Sequence, residues 1–238
     1  MLVNLHGKGP QSHRVALAAR PRRLIAFAHP DVPETHGSPN WRADEHEVVR
    51  WCRLLAESGI AADPARLRLP SPPLPSALHA VRGATIVHPG AASPARRWPA
   101  ERFAAVAREE SAAGRQVVIT GGPDERELAL TVAALASLPE HAVLAGRTGL
   151  RELAAVVGAA ARVVCGDTGV AHLATALDVP SVLLFGPSSP RVWGPWHGRD
   201  RHRVLWAGRL GDPHAQRPHA GLLEIEVGDV VAELAALP

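Results

Sequence analysis

The 238-residue sequence predicts an α/β protein: a complete Rossmann-like, doubly wound parallel sheet in the C-terminal part, preceded by an incomplete Rossmann-like half. From Ala84 onward, short apolar runs alternate with helical patterns, and the runs are continuously apolar. Strands buried on both faces read this way, whereas strands with one wet face alternate apolar and polar residues. Each run is closed by glycine or proline, as in Pro89-Gly90, Gly121-Gly122-Pro123 and Gly186-Pro187. The first 83 residues hold only two strand-like runs and one amphipathic helical pattern, too little for a second complete sheet.

Residues 2–5 and 24–28 (LIAFA) read as the two N-terminal strands, and 45–58 as the helix. Loops rich in Pro, Gly and His lie between them. Residues 68–75 (RLRLPSPP) read as an extended linker, because proline disfavours paired backbone. These features divide the chain into a partial α/β domain with linker at 1–82 and a complete domain at 83–238.

In the second domain, 84–88 (ATIVH) is a strand. Pro99 starts a helix with Phe103, Val106 and Ala107 on one face, ending near Gly114. A strand at 116–120 (QVVIT) is followed by a helix that Asp124 can cap, carrying Leu128, Val132 and Leu135. Then come a strand at 142–145, a helix at 150–160, a strand at 162–165 (RVVC), a helix at 170–177 and a strand at 181–185 (SVLLF).

Composition narrows the partners. The formal charge of +3 is small for this length, and no arginine cluster is interleaved with aromatics, so nucleic-acid binding is not expected. The basic residues are almost all arginine, with Lys8 the single lysine. Cys52 and Cys165 are far apart and read as free thiols of a reducing compartment. No leader peptide and no apolar stretch near the ~20 residues of a membrane span is visible, so a cytoplasmic protein is expected.

In a doubly wound sheet, ligands bind beyond the carboxyl ends of the strands. The loop after 162–165 is the most informative. Gly166-Asp167-Thr168-Gly169 leads into a helix whose N-terminal amides suit a phosphate. Gly169 permits close approach, the Thr168 hydroxyl can donate, and His172 lies one turn on along the same face. Asp167 or Thr168 could equally be a helix cap, and His172 a structural histidine. After the strand at 84–88, the small residues Gly90, Ala91 and Ser93 precede Arg96 and Arg97, whose guanidiniums could neutralise a leaving group or simply be solvated. Glu125 could meet a ribose or base, or merely favour a helix dipole. Gly186-Pro187-Ser188 could line the same crevice, or be only a turn.

Other chemistries lack their motifs: GxxxxGK[ST], GxGxxG and GxSxG are absent, and so is an Asp-x-Asp pair for a divalent metal. His197, His202, His214 and His219 lack regular ligand spacing, so no metal site is expected.

Taken together, the loops resemble glycosyltransferase family 9, the ADP-heptose:lipopolysaccharide heptosyltransferases and their relatives. The pieces are His88-Pro89-Gly90-Ala91, Arg96-Arg97-Trp98-Pro99 with Phe103, Thr120-Gly121-Gly122-Pro123, Gly166-Asp167-Thr168-Gly169 with His172, and Leu184-Phe185-Gly186-Pro187 with Trp193-Gly194-Pro195. Asn4-Leu5-His6-Gly7 matches more loosely. The resemblance implies a GT-B fold and inverting, metal-independent transfer of a heptose-like sugar from a nucleoside diphosphate to a glycan or lipid-linked acceptor, with no cofactor. A lipid-linked acceptor would allow peripheral contact with the inner face of the membrane.

By the same resemblance, Asp167, Thr168, Gly169, His172 and Arg96 bind the donor diphosphate. Glu125 contacts the nucleoside, and Gly90, Ala91 and Ser188 line the pocket. Arg96 stands where the family has lysine, and Ala91 and Ala92 stand where the heptosyltransferases often have hydroxyls. The family's N-terminal Gly-Asp loop, with its presumed catalytic base, has no counterpart here, so no catalytic residue is assigned. The resemblance thus implies a chain lacking the first β-α units. Two other readings stay open: a nucleotide-sugar-binding module without turnover, and another enzyme of similar fold such as a nucleotide-sugar 2-epimerase.

Overall fold

A computed structural model describes residues 1–198 and 200–238. The chain divides into two compact units, Met1–Arg66 and Leu67–Pro238.

The first unit contains β1 (Leu2–Val3), α1 (Gln11–Ala18), β2 (Leu24–Ile25) and α2 (Glu47–Glu57). β1 and β2 pair in parallel, Leu2 opposite Leu24 and Val3 opposite Ile25. Their core is small and aromatic: Ile25, Phe27 and Leu54 are buried, with Trp41 and Trp51 packed against them. The Trp41 ring stands edge-on to Phe27 at 5.1 Å, and the Arg50 guanidinium lies 4.0 Å over Trp41. Arg50 also donates to the carbonyls of Arg42, Ala43 and Glu45 and pairs with Glu47. A buried cation is tolerable there because its charge is matched and both terminal nitrogens find partners, though among the described residues its Nε does not. Helix α1 was not expected from the sequence. Its buried His13 lies 2.7 Å from the Phe27 carbonyl and 3.2 Å from the Asn4 amide, which ties α1 to both strands.

The second unit is built on β3 (Thr85–His88), β4 (Val117–Ile119), β5 (Arg162–Gly166), β6 (Ser181–Phe185) and β7 (His202–Trp206). All pairings are parallel, in the order β4-β3-β5-β6-β7. Side chains alternate between two buried layers. Val87, Ile119, Val164, Val182 and Leu184 face one core, which also receives Phe103 of α3 (Ala100–Ala112), Val132 of α4 (Arg126–Leu135) and Leu234 of α9 (Val227–Ala235). Ile86, Val118, Val163, Leu183 and Phe185 face the other, against Val156 of α5 (Leu150–Ala159) and Ala174 of α6 (Gly169–Ala176). Two dry faces explain why the strand segments carry no polar alternation.

Three features differ from the sequence reading. The expected strand at 142–145 shrinks to one bridge between Val143 and Ile119. Pro139 precedes a 3-10 turn at Glu140–Ala142, and Gly146 leaves with φ 72°, so only the middle of the run can pair. β7 and α9 were not foreseen. Finally, the linker-like residues pack on the second unit: the Leu69 amide donates to the Ala176 carbonyl at 2.8 Å, and Arg68 lies 2.9 Å from the Asp178 carboxylate.

The sheet order fixes the functional end. The chain leaves β3 through α3 towards β4 on one side, then returns past β3 to lay down β5 on the other. The loops after β3 and β5 therefore diverge, opening a crevice at the carboxyl ends of two neighbouring strands. Trp98 anchors the first of these loops. It is buried, its indole N–H donates to the Ile225 carbonyl at 3.1 Å, and Phe103 packs edge-on at 5.1 Å. Replacing Trp98 by Ala is expected to cost about 3–5 kcal/mol in urea unfolding through lost burial and a cavity. Trp98→Phe, which keeps the ring contact but strands the carbonyl, is expected to cost about 1–3 kcal/mol.

Candidate functional site

β5 ends at Gly166, and α6 begins three residues later at Gly169. Thr168 is the helix cap: its backbone is extended (φ −142°), its Oγ1 accepts from the Val170 amide at 3.2 Å, and its carbonyl accepts from the Ala171 amide at 3.1 Å. Capping uses a hydroxyl lone pair, so the hydroxyl can also donate, and the buried Cys165 thiol lies within its reach. Gly169 is exposed, with no atom within 4 Å of where a Cβ would stand, so the mouth of the helix is open.

Gly166 is required for a different reason. A Cβ there would lie 2.9 Å from the Arg96 carbonyl, so the loop after β3 can approach the end of β5 only over a glycine. That approach places the Arg96 guanidinium on the Asp-Thr-Gly turn. Its Nη1 donates to the Asp167 carbonyl at 3.1 Å and lies 3.9 Å from the Asp167 carboxylate, which is itself buried. The paired arginines are thus distinguished. Arg96 reaches the turn, whereas Arg97 folds back to donate to the Ala91 carbonyl at 2.8 Å and holds its own loop closed. His172 stands one turn into α6 with an exposed edge. Desolvation by the surrounding protein lowers its pKa, and Asp167 opposes that shift.

Beside this turn, at the ends of β3 and β4, lies a second polar group. Glu125 Oε2 accepts from the Gly122 amide at 2.7 Å and lies 3.9 Å from His88 Nε2. His88 Nδ1 is 3.0 Å from the Thr120 hydroxyl, and both residues are buried. Burial pulls the His88 pKa below the ordinary histidine value, with Glu125 pulling it up. Ala91 is buried in the loop wall, and Ser188 is half-buried in the turn after β6. Cys165 is not a nucleophile here: burial first, and Asp167 second, push its thiol far above the ordinary range.

A wall of the site was missed from the sequence. Residues 211–219 run over the loop between β3 and α3: the Ala95 amide and the Ser93 hydroxyl both donate to the Ala215 carbonyl, at 3.1 and 3.2 Å. The His219 amide donates to the Ala95 carbonyl at 3.1 Å, and the Gly211 amide to the Pro187 carbonyl at 3.1 Å. Backbone-to-backbone contacts of this kind leave almost no trace in side-chain identity. A cleft of about 480 Å³ lies elsewhere, along β7, lined by Pro190, Arg191, Pro195, His202, Val204 and Trp206. None of the residues above lines it. Among the described residues no three His, Cys, Asp or Glu are gathered as metal ligands, and no helix is long and apolar enough to cross a membrane.

The sequence model of glycosyltransferase family 9 (heptosyltransferase) matches residues 35–218. The chain belongs to glycosyltransferase family 9. Among curated family members, lipopolysaccharide heptosyltransferase 2 of Salmonella typhimurium is 36% identical over 157 residues, covering 63% of this chain and 45% of the relative. Lipopolysaccharide heptosyltransferase 1 of Pseudomonas aeruginosa is 36% identical over 102 residues, covering 42% and 28%. The family-9 chain thus spans under half the length of these relatives. Among solved structures, ADP-heptose LPS heptosyltransferase II of E. coli superposes with a TM-score of 0.70 at 24% identity, over 98% of this chain and 74% of that one. An E. coli heptosyltransferase holding ADP gives 0.59 at 20% identity, over 82% and 58%. The family-9 chain therefore shares the GT-B-like heptosyltransferase fold.

The two glycines of the turn separate by substitution. Gly166→Ala is expected to lower the thermal midpoint, since the Arg96 backbone must move. Gly169→Ala, with open space around it, is expected to fold like the parent in the same scan. Titration gives a further expectation. Burial lowers the pKa of both His88 and His202 below 6.5, so each is held neutral in the folded chain and protonates more readily when unfolded. Their stabilising contribution is full above that value and is lost as pH falls below it. The thermal midpoint is expected to drop between pH 7 and pH 5, and less steeply in His202→Gln.

Proposed function

We propose that this chain binds a nucleoside-diphosphate sugar at the switch point between β3 and β5 and supplies the donor side of glycosyl transfer. The observation that carries the reading is the Arg96 guanidinium fixed over the Gly166–Gly169 turn at the N-terminus of α6. A helix end and a guanidinium together suit a diphosphate, and they are aimed where charge grows as the glycosidic bond to it breaks. The open mouth at Gly169 gives the phosphates access, the Thr168 hydroxyl donates to an oxygen, and His172 lines the next turn. Glu125 reads the nucleoside, while Gly90, Ala91 and Ser188 shape the pocket.

With the leaving-group charge carried by Arg96 and the helix, the transfer needs no divalent cation and no cofactor. The acceptor hydroxyl oxygen is the nucleophile: its bond to the anomeric carbon forms as the bond to the diphosphate breaks, which inverts that carbon, and the hydroxyl proton leaves to solvent. The donor sugar is heptose-like and the acceptor a glycan or lipid-linked glycan of lipopolysaccharide core synthesis. The supports are the family membership, the names of the relatives and the ADP in one structural neighbour. A cytoplasmic enzyme meeting a lipid-linked acceptor would work at the inner membrane face.

Calorimetry with ADP tests the site. Arg96→Ala is expected to weaken ADP binding about 10–100-fold, the range of a hydrogen bond to a charged group. Binding should be unchanged in EDTA. If the combined Asp167, Thr168 and Arg96 alanine variant binds ADP as well as the parent, the site lies elsewhere. Release of ADP from ADP-heptose on addition of a lipopolysaccharide-core acceptor separates a transferase from a binding module.

A further inference from the structure

The sheet ends at β7, and the strand register shows which backbone groups that edge offers. Ser181 of β6 stands opposite His202, and its amide donates to the Arg201 carbonyl at 2.8 Å. In a parallel ladder that phase turns the amides and carbonyls of Arg203 and Leu205 towards β6, and those of Val204 and Trp206 away from it. The His202 amide also points outward, but it donates to the Gly198 carbonyl at 2.8 Å. Among the described residues, no backbone group pairs with the outward amides and carbonyls of Val204 and Trp206. β7 is last in the order β4-β3-β5-β6-β7, so no further strand of the chain takes them.

This edge lies in the cleft of about 480 Å³ along β7. The lining follows the same alternation: His202, Val204 and Trp206 contribute, whereas Leu205 packs on the core and does not. Pro190 and Arg191 of α7 (Pro190–Trp193) and Glu233 of α9 complete it. The strand is held in place from both ends. His202 Nδ1 lies 2.9 Å from the Ser181 hydroxyl, and the Trp206 indole N–H donates to the Gly186 carbonyl at 3.1 Å. A fixed strand with unused donors and acceptors along a cleft is a template for one more strand.

Charge decides which strand. Arg191 and Arg203 line the cleft with a single carboxylate, Glu233, which lies 3.7 Å from Arg203 Nε. Arg191 is exposed and, among the described residues, forms no ion pair. Arg203 Nε is buried and, among the same residues, has no hydrogen-bond partner. A second copy of this chain would bring the same two arginines to meet these two, because a two-fold contact pairs a patch with itself. Like charges across paired strands are destabilising, whereas an acidic segment is attracted. We propose that β7 is a docking edge for an extended acidic segment of another protein, which adds to the sheet beside β7 with its carboxylates towards Arg191 and Arg203. Main-chain bonds to Val204 and Trp206 supply the affinity, and the arginines select the sequence.

Fluorescence anisotropy with a labelled peptide of alternating valine and glutamate tests the edge. The parent chain is expected to bind it about tenfold tighter than the valine–lysine counterpart. Two copies of the acidic peptide, N-methylated on alternate amides in opposite phase, are expected to differ. One loses binding and the other keeps it, since only one edge of an added strand meets β7. Val204→Pro removes an outward donor that the ladder to β6 does not use, so the variant is expected to stay folded in a thermal scan and to bind about tenfold more weakly. Arg191→Glu, at an exposed position, is expected to fold like the parent and to erase the preference for glutamate over lysine. Absence of binding by the parent, equal binding of acidic and basic peptides, or equal binding of the two methylated copies overturns the proposal. Unchanged binding in folded Val204→Pro, or an unchanged preference in Arg191→Glu, does the same. A parent that sediments as a dimer and turns monomeric in Val204→Pro also overturns it, by assigning the edge to a second copy.

Discussion

The loop after β3 passes so close to the end of β5 that only a residue without a side chain can stand at 166, and most of the site follows from that contact. It exists because β3 and β5 are neighbours in the sheet although seventy-odd residues separate them in sequence, α3, β4, α4 and α5 having been laid down between. The divergence of the two loops opens the crevice, and the close approach at Gly166 then sets how wide it is. Arg96 is held at the turn by its own backbone position as much as by its bonds to Asp167. A longer loop or a bulkier residue at 166 would move the cation away from the helix end without altering either partner chemically.

Charge at this end of the sheet is arranged in two steps. Nearest the α6 N-terminus the field is positive, from the helix and Arg96, with buried Asp167 bonded to the arginine rather than left to repel an anion. One strand further out the sign reverses at Glu125, beside a histidine that burial keeps neutral. An anionic diphosphate carrying a hydroxylated nucleoside needs the same sequence, donors first and an acceptor next. The matching order across β5, β3 and β4 is a stronger argument for this class of ligand than any single residue.

Much of this was legible in the sequence, and the reasons for the gaps are physical. Continuous apolar runs such as TIVH and SVLLF announce strands buried on both sides, and they were read at nearly their true bounds. The run at 142–145 reads the same way, but a preceding 3-10 turn leaves it only one paired residue, which composition does not show. β7 (HRVLW) lies on the open side of the sheet among Gly, Pro and Arg, so its apolar signal is diluted. At the site, the sequence placed Asp167, Thr168, Gly169 and Arg96 in loops at the same end of the sheet. It left Thr168 open between cap and phosphate donor; the structure shows the cap, made with a lone pair that does not consume the proton. The pairing of His88 with Thr120 spans two strands and depends on rotamers, so no spacing rule could have revealed it.

The contacts of residues 211–219 with Ala95, Ser93 and Pro187 bear on how portable the loops at this end of the sheet are. A chimera that exchanged only the segment between β3 and α3 with a relative would graft the guanidinium but leave its backing strand of chain behind, with the Ala95 amide and carbonyl facing foreign partners. The two segments, more than a hundred residues apart, form one piece of architecture. Recombination between family members would be best tolerated where both cross together.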